Sequence, residues 1–478
     1  MCASRSGKTL TLNKPSPRDD DNGQPTSRSG SRAHRAAIRV REERKEQRQK
    51  QRRKQHHQSR STVEQSRQPR HYDRPDPTRV RAPRRQETDQ TTTTHRDLAE
   101  VFTAYAPCPR GLETALADEL TALGFERVKR GRAGCRFQTD WAGIMRANLY
   151  SRLATRILMQ VARAPVQHED DILELARKTP WERWFGPEHT LRVDTSAVGS
   201  PMQSLQYCNL RAKDGVCDRL REREGSRPNI DTTRPDARVH LFLDRTTATL
   251  YLDTSGESLF KRGWRLDKGQ APLRENLAAG LLQLANWQPD TPLLDPFCGS
   301  GTILVEAAWM AMGMPAGINR PFAFQRMRDH DRQAWQDMVE TSRAKAKQEP
   351  ETVLAGSDTD AASIRAARDN LRRAGLPADA IRFDCADART VMPPTEQPGL
   401  IVTNPPYGER LEDAGTLWQE WASHLKQHYN GWHVYVISSN HDLPGQMRLR
   451  PDNKYPLYNG ALDCRFFSFE MVSGSNRR

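Results

Sequence analysis

Paired cysteines are missing from this sequence. Its eight cysteines stand apart at positions 2, 108, 135, 208, 217, 298, 385 and 464 with no CxxC spacing. That removes a zinc framework and a disulfide scaffold, and leaves reduced thiols as the simpler account. No metal ligand set is expected. Long apolar runs are missing too: nothing approaches the roughly 18 unbroken apolar residues of a membrane span, and the first residues hold no apolar signal core. The expected location is the cytoplasm, with no membrane partner. Aromatic residues are nearly absent from one region. Residues 1–96 hold a single one, Tyr72, among Arg, Gln, Ser and Pro. Such a composition buries too little surface to offset its ordering entropy, so residues 1–97 are expected to form a disordered tail.

Acidic charge is also scarce in that tail. The chain carries 74 Lys and Arg against 60 Asp and Glu, a net of +14, and residues 1–96 contain 25 of the basic residues but only 11 of the acidic ones. The whole excess therefore lies in the tail, and the remaining body is electrically balanced. A basic segment of this kind neutralises phosphates and releases counterions, which points to a polyanion partner. Within it, "RAAIRVREERKEQRQKQRRKQ" combines helix formers with a Glu46/Lys50 pair at i,i+4 and is expected to become helical on RNA.

Order begins near Val101. "GLETALADELTALGF" sets Leu112, Leu116, Leu120 and Leu123 at helical spacing and ends on Gly124. "ARVHLFLDRTTATLYLD" alternates Val239, Leu241 and Leu243, then Ala248, Leu250 and Leu252, which predicts a hairpin with one buried face. "QYCNLRAKDGVCDRLRER" predicts an amphipathic helix with Tyr207, Leu210, Cys217 and Leu220 inward. From Leu273 onward, strand-like and helix-like stretches alternate, which predicts a mostly parallel sheet covered by helices on both faces. Asn459 and Gly460 separate the last two strand-like runs, so the final strand is expected to enter antiparallel through a tight hairpin.

Ligands of such sheets sit outside the carboxyl ends of the strands, and four strand ends here carry polar groups. In "DPFCGSGT", Asp295 closes the strand while Gly299 and Gly301 let a ligand approach the backbone. No Gly-Lys-Ser/Thr follows, so it is not a P-loop, and the third glycine of the dinucleotide fingerprint is missing. A carboxylate at that point suits a positively charged ligand such as the amino group of S-adenosylmethionine. Asp358 ends the second strand, where carboxylates bond ribose hydroxyls, and Asp387 follows the third, placed to accept an adenine amino group. "NPPY" ends the fourth. An exocyclic amine is a poor nucleophile because its lone pair is delocalised into the ring. Two acceptors, the Asn404 side-chain oxygen and the Pro405 carbonyl, would let the nitrogen pyramidalise toward a methyl donor. Pro405 and Pro406 stiffen that carbonyl, and Tyr407 would stack on a flipped base. Cys298 is a conceivable nucleophile, but it lies inside the glycine loop, and no Pro-Cys strand end accompanies it.

"LLDPFCGSGTILVEAA" together with "TNPPYGERL" closely resembles the bacterial 23S ribosomal RNA guanine-N2 methyltransferases that bear a THUMP domain. The resemblance extends through "PCPRGLETALADEL", "RPNIDTTRPDARVHLFLD", "LDTSGESLFKRGWR", "APLRENLAAGLL" and "LYNGALDC", covering roughly residues 103–470. It implies an α/β chain: a ferredoxin-like module over 98–150, a THUMP RNA-binding module over 151–262, and a Rossmann-like class I methyltransferase domain over 263–478. It further implies S-adenosylmethionine as cofactor, held by Asp295, Phe297, Gly299, Gly301, Asp358 and Asp387, with Cys298, Ser300 and Thr302 completing the loop, and Asn404 to Tyr407 holding the guanine.

Some members of that family continue into a second methyltransferase making 7-methylguanosine, so one activity is expected of this chain. The step of 63 positions from Asp295 to Asp358 exceeds what a strand-helix-strand unit needs. "NRPFAFQRMRDHDRQAW" should therefore be an insert that touches RNA or pads the fold. The expected partner is RNA, 23S rRNA or a large-subunit precursor, rather than DNA. A transfer-RNA guanine methyltransferase is the near rival, and an RNA-binding ribosome-assembly factor is the reading from another class. DNA amino-methyltransferases and protein glutamine methyltransferases also use NPPY, but the RNA-binding front module argues against both.

Overall fold

The computed structural model describes residues 100–266, 273–406 and 414–472. The tail expected to be disordered, its RNA-responsive helix and Tyr407 lie outside the described residues. Eight strands form a first sheet: β1 (Phe102–Pro107), β2 (Glu126–Gly131), β3 (Gly134–Thr139), β4 (Leu158–Pro165), β5 (Thr190–Ala197), β6 (Asn229–Ile230), β7 (Ala237–Leu243) and β8 (Thr247–Asp253). Their order is β2-β3-β1-β4-β8-β7-β5-β6. Packed with them are α1 (Glu113–Ala122), α2 (Trp141–Tyr150), α3 (Glu169–Lys178) and α4 (Leu205–Glu224). The sheet runs across the division expected at residue 150, because β1 pairs with β4 through Ala104/Met159 and Tyr105/Leu158. Alternation in a sequence assigns faces to a strand but does not name its neighbour.

Two expectations about this half change in detail. The β7/β8 hairpin forms with all six predicted residues buried, but β8 buries Thr249 and Tyr251 on its other face as well. It lies between β4 and β7 in the sheet, and the Tyr251 ring meets Tyr105 at 6.1 Å. Helix α4 forms, yet Tyr207 and Leu210 are exposed, and the inward face is Cys208, Ala212, Gly215, Val216, Cys217 and Leu220. Gly215 decides this rotation. A Cβ there would lie 2.5 Å from the Leu173 carbonyl oxygen of α3, so the two helices approach closely at Gly215, and Tyr207 and Leu210 fall on the outward side.

The second sheet contains β9 (Leu293–Asp295), β10 (Leu354–Asp358), β11 (Arg382–Cys385), β12 (Leu400–Thr403), β13 (His433–Ser438), β14 (Asn453–Asn459) and β15 (Leu462–Glu470), ordered β11-β10-β9-β12-β13-β15-β14. Strands β9 to β13 are parallel, and β15 runs antiparallel to both β13 and β14. The tight hairpin and antiparallel final strand form as expected, but the turn lies one residue on: Asn459 ends β14 opposite Leu462, and Gly460, at φ +66°, with Ala461 makes the turn. Helices α5 (Glu275–Leu284), α6 (Thr302–Ala311), α7 (Arg332–Lys345), α8 (Ala361–Arg373), α9 (Ala414–His428) and α10 (Leu443–Met447) complete this half.

The long segment between β9 and β10 fastens the two halves. Phe322, Phe324 and Trp335 form an aromatic cluster, with Phe324 and Trp335 edge-to-face at 5.1 Å. Arg328 bridges Glu188 and Glu224, and Asp329 pairs with Arg183 at 2.9 Å. Beneath this surface, Arg262 is 1% exposed and reaches Glu306 of α6 at 3.2 Å, while donating to the carbonyls of Leu259 and Arg152. Removing Arg262 would leave the buried Glu306 to Arg152 at 3.6 Å, and breaking a buried pair costs about 3–5 kcal/mol. Arg262→Ala is expected to lose stability of that order in urea unfolding, and a loss below about 1 kcal/mol would contradict the role assigned to the pair.

Candidate active site at the carboxyl ends of the parallel strands

Strand order reverses at β9: the chain moves outward to β10 and β11, then returns to the other side of β9 as β12. Such a switch point opens a crevice above the strand ends. The structure brings Asp295, Asp358, Asp387 and Asn404 to the ends of four neighbouring strands, β9, β10, β11 and β12. Asp295 and Asp358 are the last residues of their strands, Asp387 lies two beyond β11, and Asn404 directly follows β12.

Asp295 is buried, and its Oδ1 accepts from the Thr403 hydroxyl at 2.6 Å and from the Phe297 amide at 3.2 Å. Burial pushes its carboxyl up to about 7, against the opposing pull of those two hydrogen bonds; the nearby Asp358 charge adds to the rise. A buried carboxyl poised between its two charge states is suited to a cationic partner, which restores the anion. Asp358 accepts from the Gly299 amide at 3.0 Å and from the Asp360 amide at 2.9 Å, which locks the glycine loop to the end of β10.

Gly299 and Gly301 adopt φ +53° and +77°, a region costly for any residue with a Cβ. A Cβ on Gly299 would face open space, whereas one on Gly301 would lie 3.0 Å from the Phe383 ring. The loop thus turns Gly299 toward the crevice and Gly301 into the fold. Ser300 lends its carbonyl to Asn370 Nδ2 at 3.0 Å, and the Thr302 hydroxyl accepts from Arg265 at 3.3 Å. The Phe297 ring stands edge-on to Trp421, 5.1 Å away.

Cys298 is buried against the sheet, where its Sγ lies 3.2 Å from the place a Cβ on Gly356 would occupy. Burial, then the charges of Asp295 and Asp358, push its thiol well up, which disfavours the thiolate that a nucleophile needs. Asp387 gives both oxygens to Arg389, with Nη2 at 2.6 Å, and Arg389 also pairs with Glu420 of α9 at 2.6 Å. That ion pair holds the Asp387 carboxyl below its usual range. Its capacity for a further donor is shared with Arg389, a competition the sequence does not reveal.

At the end of β12, Asn404 presents a buried Oδ1 with no hydrogen-bond partner among the described residues. Pro405 is buried and Pro406 exposed. An unpartnered buried acceptor is costly unless a ligand completes it. Sequence reasoning missed several supporting residues. Thr403 was signalled only as a hydroxyl at the end of an apolar strand. Asn370 interrupts the Ile364, Ala367, Leu371 stripe of α8. Arg265 and Glu275 pair at 3.1 Å, and Glu275 keeps a buried Oε2 with no partner among the described residues. Burial raises the Glu275 carboxyl despite Arg265. Among the described residues no group of three or more His, Cys, Asp or Glu is arranged to hold a metal ion, and no helix is long and apolar enough to cross a membrane.

Residues 262–467 match the family described as RMKL-like, methyltransferase domain, after a match of 103–158 to the RlmL ferredoxin-like domain and of 166–253 to the THUMP domain. The chain belongs to this THUMP-bearing methyltransferase family. The ribosomal RNA large subunit methyltransferase K/L of Syntrophotalea carbinolica is 40% identical over 77% of this chain and 53% of that relative, and the protein of the same name from Methylococcus capsulatus is 38% identical over 77% and 51%. The chain thus spans about half the length of the curated relatives it matches.

Among solved structures, a possible methylase from Clostridium difficile 630 is 31% identical with a TM-score of 0.72, covering 79% of this chain and all of its own. SMU.472, a putative methyltransferase complexed with SAH, is 27% identical with a TM-score of 0.71 over 78% of this chain and 99% of its own. A protein from Listeria monocytogenes described as a predicted N6-adenine-specific DNA methylase is 30% identical with a TM-score of 0.70 over 77% and 96%. The cofactor is S-adenosylmethionine. The residues present fit it: a buried carboxyl that favours a cation, and a glycine at the loop tip facing open space.

Proposed function

We propose that this chain transfers a methyl group from S-adenosylmethionine to the exocyclic N2 of a guanine in 23S ribosomal RNA, acting in the cytoplasm. The observation supporting this reading is the buried Asn404 Oδ1, without a hydrogen-bond partner among the described residues, directly after Thr403, whose hydroxyl donates to Asp295 at the switch point. Bound there, the cofactor supplies an electrophilic methyl on a sulfonium. Asp295 holds the positively charged amino group, Asp358 the ribose, and the Gly299 turn leaves room for the chain joining them. Asp387 offers its remaining acceptor capacity to the adenine. Asn404 Oδ1 and the Pro405 carbonyl accept the two N–H bonds of the guanine amine, localising its lone pair toward the methyl. The nitrogen would form its bond to the methyl carbon as the sulfur–carbon bond breaks, so that the cofactor would depart as a neutral thioether and the surplus N–H proton would pass to solvent water.

The RNA class rests on the ribosomal RNA methyltransferase names of the curated relatives and on the THUMP match. Incubation with labelled S-adenosylmethionine and unmodified 23S RNA or transfer RNA, followed by nucleoside mass spectrometry, tests it. N2-methylguanosine in 23S RNA is expected. The same product only in transfer RNA overturns the substrate, and N6-methyladenosine would favour the chemistry named for the Listeria structure. No product, with cofactor and RNA both bound, would favour the assembly-factor reading. Deleting residues 1–96 removes 25 basic residues and is expected to weaken RNA binding and flatten its salt dependence without removing catalysis. Filter binding across a salt series checks this, and an unchanged slope contradicts it.

A further inference from the structure

A concave site of about 440 Å³ lies where the first sheet, the link after β8 and the long insert meet. Arg234 and Arg238 line it from the start of β7, Lys261 from the link, Arg326 from the insert, and Arg156 from β4's approach. Only two acidic side chains, Asp236 and Glu257, line it with them. The junction is tight: a Cβ on Gly256, at φ +78°, would meet the Ala323 backbone nitrogen at 3.3 Å.

The positive charge here is under-compensated. Arg156 is matched by the buried Asp253 at 2.6 Å, and that carboxylate is also taken by His240 and the Ser255 amide. Lys261 meets Glu257 at 3.3 Å, and Arg326 reaches Asp236 at only 3.5 Å. Arg238 has a buried Nε with no hydrogen-bond partner among the described residues. Its near carboxylate, Asp194 at 3.5 Å, is already held by Arg192 at 2.7 Å. Behind the wall, Arg320 donates to the carbonyls of Ser255 and Glu257, yet its buried Nη1 has no partner among the described residues. Burial and the neighbouring arginines Arg156 and Arg262 hold Arg238 and Arg320 below the usual guanidinium range. A buried guanidinium nitrogen without an acceptor is costly, and an oxyanion with several oxygens can accept from more than one donor at once.

We propose that this junction site binds a backbone phosphate of the RNA substrate, anchoring the strand between the THUMP-bearing half and the catalytic half. The insert then supplies Arg326 and the Phe322 wall rather than mere padding. The proposal rests on the RNA reading above, so it is tested by binding alone, without cofactor or turnover. A 23S RNA fragment and a transfer RNA serve as probes, titrated in a salt series against the full chain, Arg234→Ala, the Arg234→Ala/Lys261→Ala double variant and Arg238→Ala. Thermal unfolding monitors each variant's folding. Arg234 and Lys261 lie at the rim, so their variants keep the test sound if Arg238→Ala folds poorly.

The double variant is expected to bind the preferred probe about tenfold more weakly, with a salt slope shallower by about 1–2. Unchanged affinity and slope in the folded double variant overturn the proposal. A melting temperature raised by millimolar inorganic phosphate in the full chain, with RNA binding unaltered in the variants, also overturns it and marks a small-anion site instead. A wild-type preference for transfer RNA, with the variants impaired on it, upholds the site while overturning the 23S assignment.

Discussion

Asn404→Ala is expected to lower the turnover rate by about 10²–10³-fold, the usual cost of removing one preorganised hydrogen-bonding group from a transition state. The loss should fall on kcat. The amide oxygen is needed where the amine nitrogen begins to pyramidalise, and the cofactor is held by other strand ends. Cofactor affinity is therefore expected to stay within about twofold, and RNA affinity close to wild type. The fold should tolerate the change, because Asn404 Oδ1 makes no hydrogen bond among the described residues. Single-turnover methyl transfer with isothermal titration of the cofactor separates these effects. A variant that keeps full activity, or one that fails only through lost cofactor binding, contradicts amine activation at this residue.

Asp295→Asn should have the second largest effect, and that effect depends on pH. The native carboxyl is raised to about 7, chiefly by burial, whereas an unfolded Asp titrates near 3.9. Between those values the native state holds the extra proton. The group's contribution to stability is then fully present below the unfolded value and is lost as pH rises through about 7. Ligand-free wild-type protein should lose stability across that window, and Asp295→Asn should not, so the variant should melt higher at pH 8.

Cofactor binding runs the other way. A cationic amino group prefers the ionised carboxylate, so wild-type affinity should tighten as pH rises toward and through 7. Asp295→Asn should weaken binding at pH 8 by roughly 10–100-fold, the range for a hydrogen bond to a charged group, and flatten the profile. A variant profile as steep as wild type would assign the titration to another group.

Much of this architecture is legible in the sequence because its signals are local. The alternation of short apolar runs with amphipathic helices locates β9 to β13, and Asn459-Gly460 locates the final hairpin. Each polar strand end is visible by its position after an apolar run. What stays hidden depends on contacts distant in sequence. Tyr207 and Leu210 read as core by spacing, but the close approach of Gly215 to α3 rotates α4 and exposes them. The spacing of strands does not reveal that β1 joins β4 in one sheet across the expected boundary. Asp387 reads as a free acceptor until Arg389, two residues on, is seen to occupy it. The insert reads as a segment that touches RNA or pads the fold, yet its Arg328 is committed to Glu188 and Glu224 across to the first half.

The central claim is that Asn404 and Pro405 activate an exocyclic guanine amine. Its most direct test is methyl transfer to the substrate RNA with inosine in place of the target guanosine, which removes that amine and leaves N1, N7, O6 and the ribose intact. The account predicts transfer to the guanosine RNA and none to the inosine RNA, with both bound at similar affinity. Equal methylation of the inosine RNA would contradict it and place the methyl on another atom.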